Sequence, residues 1–169
     1  MCGIVGYIGD DKATPILLSG LEKLEYRGYD SAGVAVYQNR KLEVVKSKGR
    51  LQNLCDTLAS KTNITGTLGI GHTRWATHGE PSDINAHPQS SENGMFAVVH
   101  NGIIENYLYL REYLINKGKH FVSETDTEVI AQLLEYYYNG NILDAVIKVL
   151  SKIKGAYALG IICKDDPDT

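Results

Sequence analysis

The chain has 169 residues, enough for one domain with a sizeable core and hardly enough for two. Hydrophobic residues make up 43% and charged residues 22%, an ordinary globular composition that argues against disorder. The formal net charge is −3 and no block of Lys and Arg tracks along the chain, which argues against a nucleic-acid partner; no apolar run reaches membrane-spanning length.

The first twelve residues, MCGIVGYIGDDK, carry no basic region ahead of their apolar stretch, so they do not read as a secretion signal. Residues 2–9 are apolar with interspersed glycines and predict a buried strand. Residues 13–25 place Ile16, Leu17, Leu21 and Leu24 at helical spacing, with Pro15 tolerated in the first turn. The EYRGYD stretch, 25–30, is a polar connection. Two strands follow at 31–37 and 42–48, joined by a short turn as a hairpin. Leu51, Leu54, Cys55 and Leu58 form a second amphipathic helix, and 67–74 reads as another strand. Residues 75–94 read as a long polar loop without structure of its own, and loops of that kind are usually functional or disordered. A strand at 95–101, helices at about 106–117, 127–138 and 142–152, and a last strand at 157–163 complete the pattern.

Strands and helices thus come in groups, which predicts an α+β fold with helices layered on largely antiparallel sheets. The final KDDPDT is turn-like and without a closing element, as though the chain were cut at a hairpin. Three scattered cysteines, Cys2, Cys55 and Cys163, fit a reduced, cytoplasmic protein better than a disulfide scaffold.

Cys2 has chemical meaning because only Met1 precedes it. Removal of that methionine leaves a thiol and a free α-amine on one residue. The thiolate is the nucleophile, and an amine titrating near pH 8 can take the thiol proton directly or through a water. Nucleophile and base then need no separate histidine. Taken alone, Cys2 is better explained as a small apolar residue opening a strand; the neighbouring motifs reverse that balance.

Four stretches carry a resemblance that covers essentially the whole chain: MCGIVGYIG at the start, LEYRGYDSAGVAV at 24–36, GHTRWATHGEPSDINAHP at 71–88, and VVHNGIIENY with SETDTEV at 98–107 and 123–129. Together they resemble the class II glutamine amidotransferases, which are N-terminal-nucleophile hydrolases. The resemblance implies a four-layer αββα sandwich, α+β in class. It implies a partial amidotransferase domain over 1–169, truncated at its C-terminal end, with the rest of the domain and a sugar isomerase domain absent. It also implies hydrolysis of L-glutamine to glutamate and ammonia through a γ-glutamyl thioester on Cys2. The ammonia would serve the sugar isomerase domain of the same polypeptide in making glucosamine 6-phosphate from fructose 6-phosphate. Two alternatives stand beside this: a truncated module that folds without turning over glutamine, and a related amidotransferase with another ammonia acceptor.

By the same resemblance, Arg74 would clamp the glutamine α-carboxylate, for which a guanidinium fork is suited. Thr77 and His78 would complete the amino-acid pocket, and Trp75 would belong to a loop closing over substrate. Asn101 and Gly102 would supply the oxyanion hole. Asn-Gly is also a common tight hairpin turn, but GIIENY leads towards a helix. Asp126 would bind the α-ammonium, although Thr125 and Glu128 stand at capping-box spacing and an acid in a first helical turn is favoured anyway. Arg27 and Gly28 would support the nucleophile. No metal site is expected, since the five histidines avoid i, i+4 spacing and no Cys-x-x-Cys occurs. No cofactor is expected, and a homo-oligomer is left open.

Overall fold

The structure is a computed structural model that describes residues 2–27, 29–61, 64–75 and 79–169, with only the backbone of Arg27. Two antiparallel sheets form its middle. The first is ordered β1-β4-β2-β3, from β1 (Gly3–Ile8), β2 (Ser31–Gln38), β3 (Lys41–Lys48) and β4 (Leu68–Arg74). The second is ordered β5-β6-β7, from β5 (Gln89–Ser90), β6 (Phe96–Gly102) and β7 (Tyr157–Cys163). Helices α1 (Ala13–Leu24) and α2 (Leu51–Ser60) cover the first sheet. Helices α3 (Tyr107–Asn116), α4 (Asp126–Tyr137) and α5 (Ile142–Leu150) cover the second.

The layering follows from the two-residue side-chain period of a strand. In β2, Val34 and Val36 join Leu17, Leu21 and Leu54 under the first helical layer, while Ala35 between them faces the opposite sheet. In β6, Phe96 and Val98 join Leu114, Ile130 and Leu133 under the second layer, while Ala97 and Val99 face inward. Ala35, Ile70, Ala97, Val99 and Ile162 therefore make a thin middle core between the sheets. Each fully buried Leu, Ile or Val contributes about 1.5–3 kcal/mol, so three clusters of this size hold the four-layer αββα sandwich together.

The hairpin between β2 and β3 turns on Asn39 and Arg40, both left-handed at φ 51° and 59°. Two such residues give the twist that antiparallel neighbours need.

The 75–94 segment differs from its expected form. It contains β5 and a cis His87–Pro88 peptide, and Asn85, Ala86, His87, Gln89 and Ser91 are buried. Several of its polar groups find partners within the segment and across the fold. Asn85 donates to the Glu80 carbonyl (2.9 Å) and the Glu124 carboxylate (3.0 Å), and it accepts from the Glu124 N–H (3.0 Å). Gln89 donates to the Ala86 carbonyl at 2.9 Å. Gly33 makes room for the segment, because a Cβ there would stand 2.2 Å from the His87 carbonyl oxygen. A run of polar residues can be buried when each finds a partner.

Candidate active site

Strand parity brings the candidate residues together. Ile4 of β1, Ile70 of β4 and Val99 of β6 all face the middle core. Cys2 shares the parity of Ile4, His72 and Arg74 share that of Ile70, and Asn101 shares that of Val99. Antiparallel pairing sets Gly3 opposite Thr73, which leaves Cys2 beside Arg74 at the end of the ladder. The polar ends of both sheets thereby meet around Cys2.

The Cys2 thiol is half-buried and free. Its Sγ accepts the Trp75 main-chain N–H at 3.2 Å and lies 3.5 Å from the Trp75 carbonyl oxygen, to which the thiol can donate. The Asn101 Nδ2 donates to the Cys2 carbonyl at 3.3 Å, linking the second sheet to the residue that carries the thiol. The Trp75 indole itself stands outward, 55% exposed, so the main chain of Trp75 is what touches the sulfur.

Gly102 ends β6 opposite Tyr157, with φ +121°. A Cβ there would lie 2.0 Å from the Ala156 carbonyl oxygen, so only glycine fits. Asn101 and Gly102 therefore close a strand and do not form the two-residue hairpin that their dipeptide suggests.

Arg74 ends β4 almost fully buried. Its Nη2 donates to the Gly79 carbonyl at 2.8 Å, and its Nη1 stands 3.6 Å from an Asp30 carboxylate oxygen. Asp126 opens α4, also buried, and its Oδ2 accepts the Ile104 N–H at 2.9 Å and lies 3.9 Å from His100 Nδ1. The Thr125 hydroxyl caps α4 by accepting the Glu128 N–H at 3.3 Å. The Glu128 carboxylate reaches back to the N–H groups of Val122 (2.9 Å) and Ser123 (2.6 Å). The capping spacing in the sequence is thus used, with the return bonds made earlier in the chain than Thr125. Of the other sequence candidates, Gly28, Thr77, His78 and the Arg27 side chain lie outside the described residues.

Sequence reasoning missed a buried histidine cluster next to Cys2 and Asn101. His72 Nε2 lies 2.9 Å from Asn101 Oδ1 and 3.1 Å from the His100 carbonyl oxygen. The His72 and His87 rings stack at 4.5 Å. His87 Nε2 and His100 Nδ1 both meet the Thr127 hydroxyl, at 2.6 and 2.9 Å. Burial pushes the His72 imidazole down to about 4, and burial together with the neighbouring histidines pushes His87 well below its usual value. Both rings are neutral at pH 7. The signal for His72 was present in the alternation Ile70-Gly71-His72-Thr73-Arg74, which sets His72 and Arg74 on one face.

Comparison with known proteins bears on this arrangement. A family model described as "Glutamine amidotransferase domain" matches residues 72–168. A glutamine–fructose-6-phosphate aminotransferase (isomerizing) of Caldanaerobacter subterraneus subsp. tengcongensis is 65% identical over 99% of this chain and 28% of its own length. The protein of the same name from Aquifex aeolicus is 58% identical, again over 99% of this chain and 28% of its own length. The chain therefore spans just over a quarter of the length of these curated relatives. Among solved structures, the glutamine phosphoribosylpyrophosphate amidotransferase of B. subtilis, complexed with ADP and GMP, superposes with a TM-score of 0.82. It is 31% identical, covering 97% of this chain and 35% of that one.

Proposed function

Since the chain belongs to the glutamine amidotransferase domain family, with the fold of the class II N-terminal-nucleophile enzymes, we propose that it carries the glutaminase half-reaction, releasing ammonia from L-glutamine with Cys2 as nucleophile. The observation that carries this reading is the Cys2 thiol at the meeting of the two sheets, bonded to the Trp75 N–H, with the Asn101 amide on its own carbonyl. A thiol so held sits beside a donor suited to an oxyanion.

In the proposed sequence, loss of Met1 frees the Cys2 α-amine, which takes the thiol proton as sulfur attacks the glutamine δ-carbon. The carbonyl becomes an oxyanion received by Asn101 Nδ2 and the Gly102 N–H. The oxyanion then collapses, the C–N bond breaks, and the α-ammonium returns its proton to the leaving nitrogen as ammonia. Water hydrolyses the γ-glutamyl thioester to glutamate and restores the thiol. Arg74 takes the substrate α-carboxylate and Asp126 its α-ammonium, a pairing suited to a zwitterionic amino acid. The same reading assigns Trp75, Thr77 and His78 to substrate binding and Arg27 and Gly28 to support of the nucleophile. On the same reading, the three scattered cysteines suit work in the cytoplasm, and residues 1–169 form part of an amidotransferase domain. Their ammonia goes to a sugar isomerase domain that converts fructose 6-phosphate to glucosamine 6-phosphate.

Glutamate release by the processed chain, with intact mass after exposure to an electrophilic glutamine analogue, tests the reading. One adduct on Cys2 and loss of glutamate release in Cys2→Ala are expected. Equal glutamate release with and without Cys2 would sink it.

A further inference from the structure

We infer that His72 is a positioning residue that holds the Asn101 side-chain amide with its nitrogen toward Cys2, an inference that rests on the oxyanion role proposed for Asn101.

The argument begins with an ambiguity. A side-chain amide has two faces of similar shape, one donating and one accepting, and only its partners decide which way it lies. Near Asn101 there are two such partners. The Cys2 carbonyl oxygen, 3.3 Å away, can only accept. His72 Nε2, 2.9 Å away on the other side, either donates or accepts according to its tautomer. A second neighbour settles which. The His100 main-chain carbonyl oxygen lies 3.1 Å from the same nitrogen and can only accept. His72 Nε2 therefore carries the proton, Asn101 Oδ1 receives it, and Asn101 Nδ2 is left facing Cys2. One N–H of that group meets the Cys2 carbonyl; the other is available to an oxyanion formed beside the sulfur.

The rest of the imidazole supports this assignment. His72 is fully buried on β4, paired across the sheet with Ile4 and Gly33, so the ring has little freedom to turn. Its Nδ1 has no hydrogen-bond partner among the described residues, as suits an unprotonated nitrogen, and its ring lies 4.5 Å from that of His87. A flipped Asn101 would turn its NH2 onto the N–H of His72 and its oxygen onto the carbonyl of Cys2, losing two hydrogen bonds at a buried position.

Glutamine is the natural replacement, since its amide nitrogen can occupy the place of Nε2. The expected result is that H72M lowers kcat for glutamate release by at least about tenfold while KM changes less than about twofold. H72Q recovers most of the loss. H72M added to N101A costs nothing further, because the effect of His72 passes through Asn101. Undiminished loss in the N101A background, or H72Q as poor as H72M, would overturn the inference. The tautomer can be read without turnover. The 15N spectrum of the wild-type chain should show His72 protonated at Nε2 and bare at Nδ1, and the reverse pattern overturns the inference even if H72M fails to fold. A wild-type chain that releases no glutamate, yet shows the Nε2–H tautomer bonded to Asn101, counts against the proposed function and leaves the positioning supported.

Discussion

Gly102 shows how narrowly one residue is constrained at the end of β6. Its φ of +121° lies where side chains are strained, and an added Cβ would stand 2.0 Å from the Ala156 carbonyl oxygen. Backbone strain of this kind costs on the order of 1–3 kcal/mol, and its relief would move the N–H proposed to face the oxyanion. Gly102→Ala is therefore expected to lower Tm by several degrees and glutamate release by more than about tenfold, read by thermal unfolding and a coupled glutamate assay. Unchanged turnover in a variant of normal Tm would remove Gly102 from the proposed machinery. Asp126 is constrained differently. One carboxylate oxygen is held by the Ile104 N–H, so the residue joins the start of α4 to the chain just past β6 as well as standing where a cation could be met.

At the scale of elements, α4 is the clearest case of a helix built for more than burial. Its first nine residues are all buried, yet they include Asp126, Thr127, Glu128 and Gln132. Each has a partner: Ile104, the two histidines, the 122–123 main chain and the Glu92 N–H respectively. Thr125→Ala removes the cap of this helix and is expected to cost about 1 kcal/mol, measured as a shift in the midpoint of denaturant unfolding. The element pattern was legible from the sequence because it is local. Leu17 and Leu21 show one face of α1, and Val34 and Val36 show one face of β2. The capping of α4 was legible too, from Thr125 and Glu128. The course of 75–94 was not, because what buries it lies far away in sequence, at Gly33 and Glu124. For the same reason the cysteine could be singled out by its position, whereas the meeting of His72 with Asn101 across two sheets could not.

The whole molecule carries its buried histidines as a pH-dependent load. His72 has its imidazole lowered to about 4, and His87 is held well below its usual value by burial and its neighbours. Both take up protons on unfolding at any pH between about 4 and the ordinary 6.5, so stability is full above 6.5 and declines as the pH falls through this window. At 1.36 kcal/mol per unit, the His72 shift alone amounts to roughly 3 kcal/mol by pH 4. Denaturant unfolding measured from pH 7.5 to pH 4 should show this decline, and it should be shallower in H72Q. A stability that stays flat across that range would mean that the imidazoles are solvated.

The bond between the Trp75 N–H and the Cys2 sulfur ties the chemistry to the chain that follows β4. A thiolate attracts that donor more strongly than a thiol does, and an acylated sulfur attracts it less. Each chemical state of the sulfur thus grips the main chain at residue 75 with a different strength. By reciprocity, anything that fixes the main chain there favours the states of the sulfur that hold that N–H most strongly. Nucleophile and backbone act as two ends of one thermodynamic lever, and the reaction coordinate is legible at the backbone as well as at the sulfur.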